Sequence, residues 1–190
     1  MAHMKHAARR AFRTHDHGRC RNGVLMAAER MACSGAVRLT PVRRRVLELL
    51  LENHRAMGAY EILERLAAEG WGRQPPLAYR ALNFLVEQGL AHKVERLNAY
   101  MACMHPPHAH PPVLLICHGC RRVAEVRGET VTDAVAAAAR PLGFRAARVS
   151  VEALGLCPRC HAQEVQEQED CGQDIRRQRD RDRGHPPCSR

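Results

Sequence analysis

Aromatic residues are scarce in this 190-residue chain: one Trp, three Tyr and three Phe, 4% of the total. A chain of this length holds one ordinary domain or two small ones. With so few large side chains, something other than a big core must hold part of it. No run of eighteen apolar residues occurs, which excludes an apolar transmembrane helix, and the N-terminus has no apolar signal core. Nine cysteines, an odd number with four in two Cys-x-x-Cys pairs, suit metal ligation in a reducing compartment better than a disulfide framework. The expected location is the cytoplasm.

Acidic residues are outnumbered, 20 against 30 Lys and Arg, for a net charge of +10. Residues 1–100 carry 17 Lys/Arg against 9 Asp/Glu, a surplus of eight. Residues 101–190 carry 13 against 11, a surplus of two. The first half is therefore the half to meet a polyanion such as DNA.

Residues 1–22 and 163–190 are polar, aperiodic and rich in Arg, and both read as disordered tails, the first of them basic. Thr40-Pro41 starts a helix that runs to about Glu52, with Val42, Val46, Leu49 and Leu50 on one stripe. A second helix from about Ala59 to Glu69 buries Ile62, Leu63 and Leu66 and stops at Gly70. A third, opened by Pro75-Pro76 and closed by Gly89, sets Ala78, Leu82, Leu85 and Val86 against Arg80, Asn83 and Glu87. Leu90–Cys103 then reads as a hairpin turning near Leu97-Asn98.

Three helices and a hairpin make a winged helix-turn-helix over residues 23–103. Prolines 106, 107, 111 and 112 mark residues 104–112 as a hinge. Residues 113–162 read as a small α/β unit: strands at Val113–Ile116 and Val123–Val126, a helix at Glu129–Ala139 and a strand at Ala146–Val151. The fold class is α+β.

In a helix-turn-helix the second helix enters the major groove, which puts Tyr79 and Arg80 at base edges. Arg43, Arg44, Arg45 and Lys93 are candidates for phosphate contacts, or equally for solvating helix faces. Tyr60 is a DNA contact or a half-buried packing residue.

Cys117-His118-Gly119-Cys120 and Cys157-Pro158-Arg159-Cys160 are matched two-thiolate grips. Together they complete a closed tetrahedral Zn²⁺ site of the structural kind, redox dithiols being the plainer alternative. A second constellation is His92, Cys103, His110 and Glu125, from four segments. Counting outward from a turn centred on Leu97-Asn98 pairs His92 with Cys103 across the hairpin. An ion on all four would tie wing, hinge and second unit together. Each residue alone has a plainer role as packing or solvated surface, and His105, His108 and His118 compete as donors.

The run Pro75-Pro76-Leu77-Ala78-Tyr79-Arg80-Ala81-Leu82-Asn83-Phe84-Leu85-Val86-Glu87-Gln88-Gly89-Leu90 resembles the recognition-helix signature of the ferric uptake regulator (Fur) family. His92, Glu95, Asn98 and Cys103 resemble its zinc uptake regulator (Zur) branch, and Gly155-Leu156-Cys157-Pro158-Arg159-Cys160 its closing zinc knuckle. The likeness spans about residues 24–162. It implies a winged-helix DNA-binding domain, an α/β dimerisation domain, a structural zinc on Cys117, Cys120, Cys157 and Cys160, and a regulatory zinc on His92, Cys103, His110 and Glu125. That is two Zn²⁺ per subunit of a homodimer that binds double-stranded operator DNA through Tyr79, Arg80 and Tyr60 and represses zinc-uptake genes.

Leu77 departs from the family's usual Ser or Thr, so a polar helix start is lost there. An iron or peroxide sensor of the same family would carry harder His/Asp/Glu ligands and no thiolate at the regulatory site, against which Cys103 stands. A zinc deaminase would carry His-x-Glu and Pro-Cys-x-x-Cys, where this chain has His108-Ala109-His110 and Leu156-Cys157, so no enzyme is expected. A zinc-ribbon scaffold would bind its partners independently of metal. Cys20, Cys33, Cys171 and Cys188 have no assigned role.

Overall fold

The computed structural model describes residue 12 and residues 17–52, 55–106, 111–147 and 149–167. His108 and His110, residues 53–54 and the stretches 1–11 and 168–190 lie outside the described residues. Four helices come first: α1 (His17–Cys33), α2 (Pro41–Glu52), α3 (Ala59–Ala68) and α4 (Pro75–Glu87). They are followed by a hairpin of β1 (Ala91–Val94) and β2 (Ala99–Ala102). After the hinge come β3 (Pro112–Cys117), β4 (Val123–Arg127), α5 (Glu129–Ala139) and β5 (Val151–Gly155), and residues 158–167 are again helical.

Helix α2 begins where Thr40 predicts, its hydroxyl accepting the Arg43 N–H at 3.4 Å with Pro41 in the first helical position. Val46, Leu49 and Leu50 face inward along with Leu47 and Leu51, while Val42 is partly buried. They pack with Ile62, Leu63 and Leu66 of α3 and Ala78, Ala81, Leu82 and Leu85 of α4. Gly89, at φ +67°, lets Leu90 N–H bond back to the Leu85 carbonyl at 2.8 Å and turns the chain from α4 into β1. The hairpin gains a third partner in Met57, whose backbone exchanges two 2.8 Å hydrogen bonds with Tyr100. This is a winged helix-turn-helix.

The second unit is a three-stranded sheet in the order β4-β3-β5, with β3 antiparallel to β4 and parallel to β5. Its register sets Cys117 beside Gly155, so the chain segments carrying the two cysteine pairs leave the sheet at the same end. The fold is α+β, a winged helix followed by a small α/β unit.

Four expectations need correction. Helix α1 begins at His17, within the stretch read as a tail, and buries Val24, Ala27 and Ala28. The helix at 158–167 likewise runs past residue 162. The last strand is Val151–Gly155 rather than Ala146–Val151. In the hairpin, Val94 pairs with Ala99 and His92 with Met101, not Cys103. Residues 95–97 form a 3₁₀ turn closed by Asn98 in the left-handed region (φ +44°), so the connection takes four residues and shifts the register by two.

Candidate metal centres

The four cysteines meet at the open end of the β3–β5 pair. Their sulfurs all lie within 4.8 Å of one another, and Cys120 Sγ is 3.7 Å from Cys157 Sγ. A tetrahedron built on Zn–S bonds of about 2.3 Å has edges of about 3.8 Å, so the four sulfurs fit that ion. Two tight turns produce the cluster. Arg121 N–H closes on the Cys117 carbonyl at 2.8 Å with Arg121 in the left-handed region (φ +58°), and His161 N–H closes on the Cys157 carbonyl at 2.9 Å as the final helix starts.

The second turn packs closely on the first: a Cβ on Gly119 would sit 3.2 Å from Cys160 Sγ. Burial works against ionisation of Cys117, yet the Cys157 and Cys120 N–H groups directed at its sulfur bring the thiol down to about 6. Neighbouring thiols, Cys157 foremost, push Cys160 up to about 12, and burial raises Cys120. Without a cation the cluster therefore favours a charge on Cys117 over Cys120 and Cys160. A divalent ion stabilises four.

His92 in β1, Cys103 just past β2 and Glu125 in β4 bring one ligand atom each within 4.8 Å of the others, and all three residues are buried. The shifted register does not separate His92 from Cys103. With His92 opposite Met101, Cys103 lies two residues further along the same face, a diagonal neighbour. Glu125 Oε1 is the point of convergence, 3.3 Å from His92 Nε2 and 3.8 Å from Cys103 Sγ. Edges of about 3.3 Å are those of a tetrahedral ion with bonds of 2.0–2.1 Å to N and O, so this N, S, O set also fits Zn²⁺.

His105 stands at the same oxygen, its Nδ1 3.3 Å away, while its backbone N–H points at Cys103 Sγ at 3.4 Å. Glu125 Oε2 accepts from the Met104 N–H at 2.8 Å. Burial alone would raise the Glu125 carboxyl, but His105, His92 and that amide outweigh it and hold it well below the usual carboxylate range. Burial, reinforced by the Glu125 charge, pushes the Cys103 thiol far up. His105, one of several competing donors in the sequence, reaches this centre through the Glu125 carboxylate and is not among the three residues whose ligand atoms converge. Its signal was present, two residues from Cys103 in a His-rich run, but spacing alone does not separate it from His108 and His110. These two metal-ligating clusters are the ones found among the described residues.

Tyr60, Tyr79 and Arg80 are exposed, and the Tyr60 and Tyr79 rings meet edge to face with centroids 6.5 Å apart. The two tyrosines thus join the first turns of α3 and α4 at the surface. Gln74, at the N-cap of α4, makes no side-chain cap hydrogen bond, and Leu77 turns toward the core instead.

The other basic candidates are engaged within the protein. Arg45 forks onto Glu69 with two 2.6 Å contacts and also meets Glu48 and Glu52, which raises its already high pKa. Arg44 pairs with Glu29 and Glu48, Lys93 with Glu95, and Arg43 lies 3.5 Å over the Phe84 ring while donating to the Arg38 carbonyl. Arg45 in particular is neutralised by three carboxylates. Among the described residues no helix is long and apolar enough to cross a membrane.

Residues 34–154 match the sequence model of the Ferric uptake regulator family. The chain is 38% identical over 138 residues to the zinc uptake regulation protein of Escherichia coli K12, covering 72% of this chain and 81% of that protein. Its structure is similar to that of a zinc uptake regulator complexed with zinc and DNA (TM-score 0.72, 37% identity, 76% of this chain and 97% of the other). It is also similar to holo XcZur (TM-score 0.68, 37% identity, 74% and 99%). The chain therefore belongs to the ferric uptake regulator family, on the branch of the zinc uptake regulators.

Proposed function

We propose that this chain is a zinc-responsive, DNA-binding transcriptional repressor of genes for zinc uptake, active as a zinc-loaded homodimer in the cytoplasm. The observation that carries this is the convergence of His92, Cys103 and Glu125, from the wing, the start of the hinge and the second unit, within 4.8 Å. A cation held there fixes the angle between the two units and hence the orientation of α4.

His92, Cys103, Glu125 and His110 form the proposed regulatory ligand set. Cys117, Cys120, Cys157 and Cys160 hold the structural ion, making two Zn²⁺ per subunit. Bound zinc supplies a charge that gathers these donors, and no catalytic step is involved. Tyr79 and Arg80 read base edges and Tyr60 supports them, in each half of a two-fold dimer on a palindromic operator. The second unit, residues 113–162, supplies the dimer contact. Apolar side chains exposed on it, Leu142, Phe144 and Leu154, favour that assignment.

The test uses a duplex that the zinc-loaded protein selects from random DNA, with a scrambled duplex as control. Wild type should bind it only as zinc is titrated in, with the four-cysteine site already full. Cys103→Ser should keep one zinc and lose the response. Zinc-independent binding by wild type would refute the reading.

A further inference from the structure

Glu152 leaves β5 toward the wing. One of its carboxylate oxygens accepts the Glu95 N–H at 2.6 Å and the other the Arg96 N–H at 3.0 Å. These are the first two amides of the 3₁₀ turn at the hairpin end, and the first amides of such a turn have no partner within it. One side chain of the second unit thus caps the tip of the wing, 57 residues away in sequence.

Besides the contacts of Glu125 with His92, Cys103, Met104 and His105, two further contacts span the same joint. Val94 and Met101 of the hairpin pack with Leu114, Ile116 and Val123, and Arg55 pairs with Arg122 in a backbone bridge. The Glu152 clasp is the side-chain contact that can be removed without opening a core or touching a metal donor.

We propose that Glu152 is a positioning residue for operator recognition, locking the wing against the second unit in the arrangement that a cation at His92, Cys103 and Glu125 also favours. The proposal rests on the zinc-dependent reading above. A contact made only in the closed arrangement raises the affinity of any ligand that prefers it, and by the same factor. Glu152 therefore strengthens zinc binding without touching zinc.

Full-length protein with its cysteine site loaded provides the test, comparing wild type, Glu152→Ala, Glu152→Gln, Glu95→Pro and the control Glu95→Gln. Zinc affinity of the second centre is measured by chelator competition, and DNA binding on the selected duplex. Glu152→Ala should weaken both zinc binding and zinc-dependent operator binding by one common factor, roughly tenfold. Glu152→Gln, which keeps one good acceptor, should recover part of that.

Glu95→Pro removes one capped amide at a position where proline suits a helical start, so it should reproduce part of the loss. Combined with Glu152→Ala it should add little, because both changes delete one contact. Glu95→Gln, which keeps the N–H, should behave as wild type.

An unchanged zinc affinity in both Glu152→Ala and Glu95→Pro would overturn the proposal, even if operator binding fell. Should Glu152→Ala fail to fold, as judged by circular dichroism, Glu152→Gln and Glu95→Pro carry the same comparison. Amide hydrogen exchange at Glu95 and Arg96 separates this inference from the functional reading. Rapid exchange there in the zinc-loaded wild type sinks the clasp, whereas slow exchange with no zinc response of DNA binding sinks the reading beneath it.

Discussion

Arg121 sits with φ at +58°, a conformation that costs a residue bearing a Cβ roughly 1–2 kcal/mol. It closes the first cysteine turn, and nothing in its hydrogen bonding requires a side chain: its N–H alone reaches the Cys117 carbonyl. Arg121→Gly should therefore stabilise the zinc-loaded second unit, by somewhat less than that range because glycine loses more entropy on folding. A rise in its thermal midpoint at constant zinc is the expected result, and a fall would show that the side chain matters. Cys103 makes a different case. Its thiol is held protonated far above its ordinary range, so a cation must expel that proton to bind. Zinc affinity of the second centre should rise with pH through neutrality by about one decade per pH unit, while Cys103→Ser should flatten the slope. Isothermal titration in buffers of different ionisation enthalpy counts the proton directly.

At the level of elements, legibility in the sequence depended on whether the signal was local. Helix α2 was readable because Thr40 and Pro41 mark its start chemically and Val46, Leu49 and Leu50 repeat at helical spacing. Helix α4 was readable for the same reasons at Pro75 and Gly89. Helix α1 was not, because its first turns from His17 to Gly23 are polar and the stripe that follows, Val24, Ala28 and Met31, is short and built partly of small side chains.

The hairpin was placed correctly but its register missed by two, since a 3₁₀ turn ending in Asn98 has no fixed residue signature. The last strand was misplaced because the apolar alternation ends at Val151, whereas Val151–Gly155 carries none and is selected by its parallel pairing with β3. The cysteine cluster was legible from spacing alone. Of the mixed set, His92, Cys103 and Glu125 are brought together and His110 lies outside the described residues, whereas the contact of His105 with Glu125 depends on how the chain folds back after Cys103.

Gly128 supplies a prediction at this scale. A Cβ there would stand 2.7 Å from the Pro111 carbonyl oxygen and 2.8 Å from Val113 Cγ2, where β4 passes into α5 beside the start of β3. Backbone cannot yield cheaply, so Gly128→Ala should destabilise the second unit by about 1–3 kcal/mol, read from denaturant melts.

For the whole molecule, the two units depend on different forces. The winged helix has a continuous apolar core of Leu, Ile, Val and Met drawn from all four helices. The second unit has a small sheet, an Ala-rich helix with one buried side chain, and four cysteines. Removing the cysteine-bound ion with a strong chelator, or by Cys157→Ser, should melt residues 113–167 first and leave helices α2 to α4 folded. Two separated thermal transitions would be seen in place of one, and a single cooperative transition in the stripped protein would contradict this. Charge also belongs to this scale. The basic surplus of the first half is partly spent on internal ion pairs around Arg45, so operator affinity should fall less steeply with salt than a count of arginines suggests.

The cysteine turns also have a topological meaning. Cys120 and Cys157 bracket β4, α5 and β5, and a cation gripping both ends makes that stretch a closed ring without any covalent cross-link. A protease that nicks the ring between 128 and 147 would leave two peptides still tied together through the metal, travelling as one species until a chelator cuts the knot.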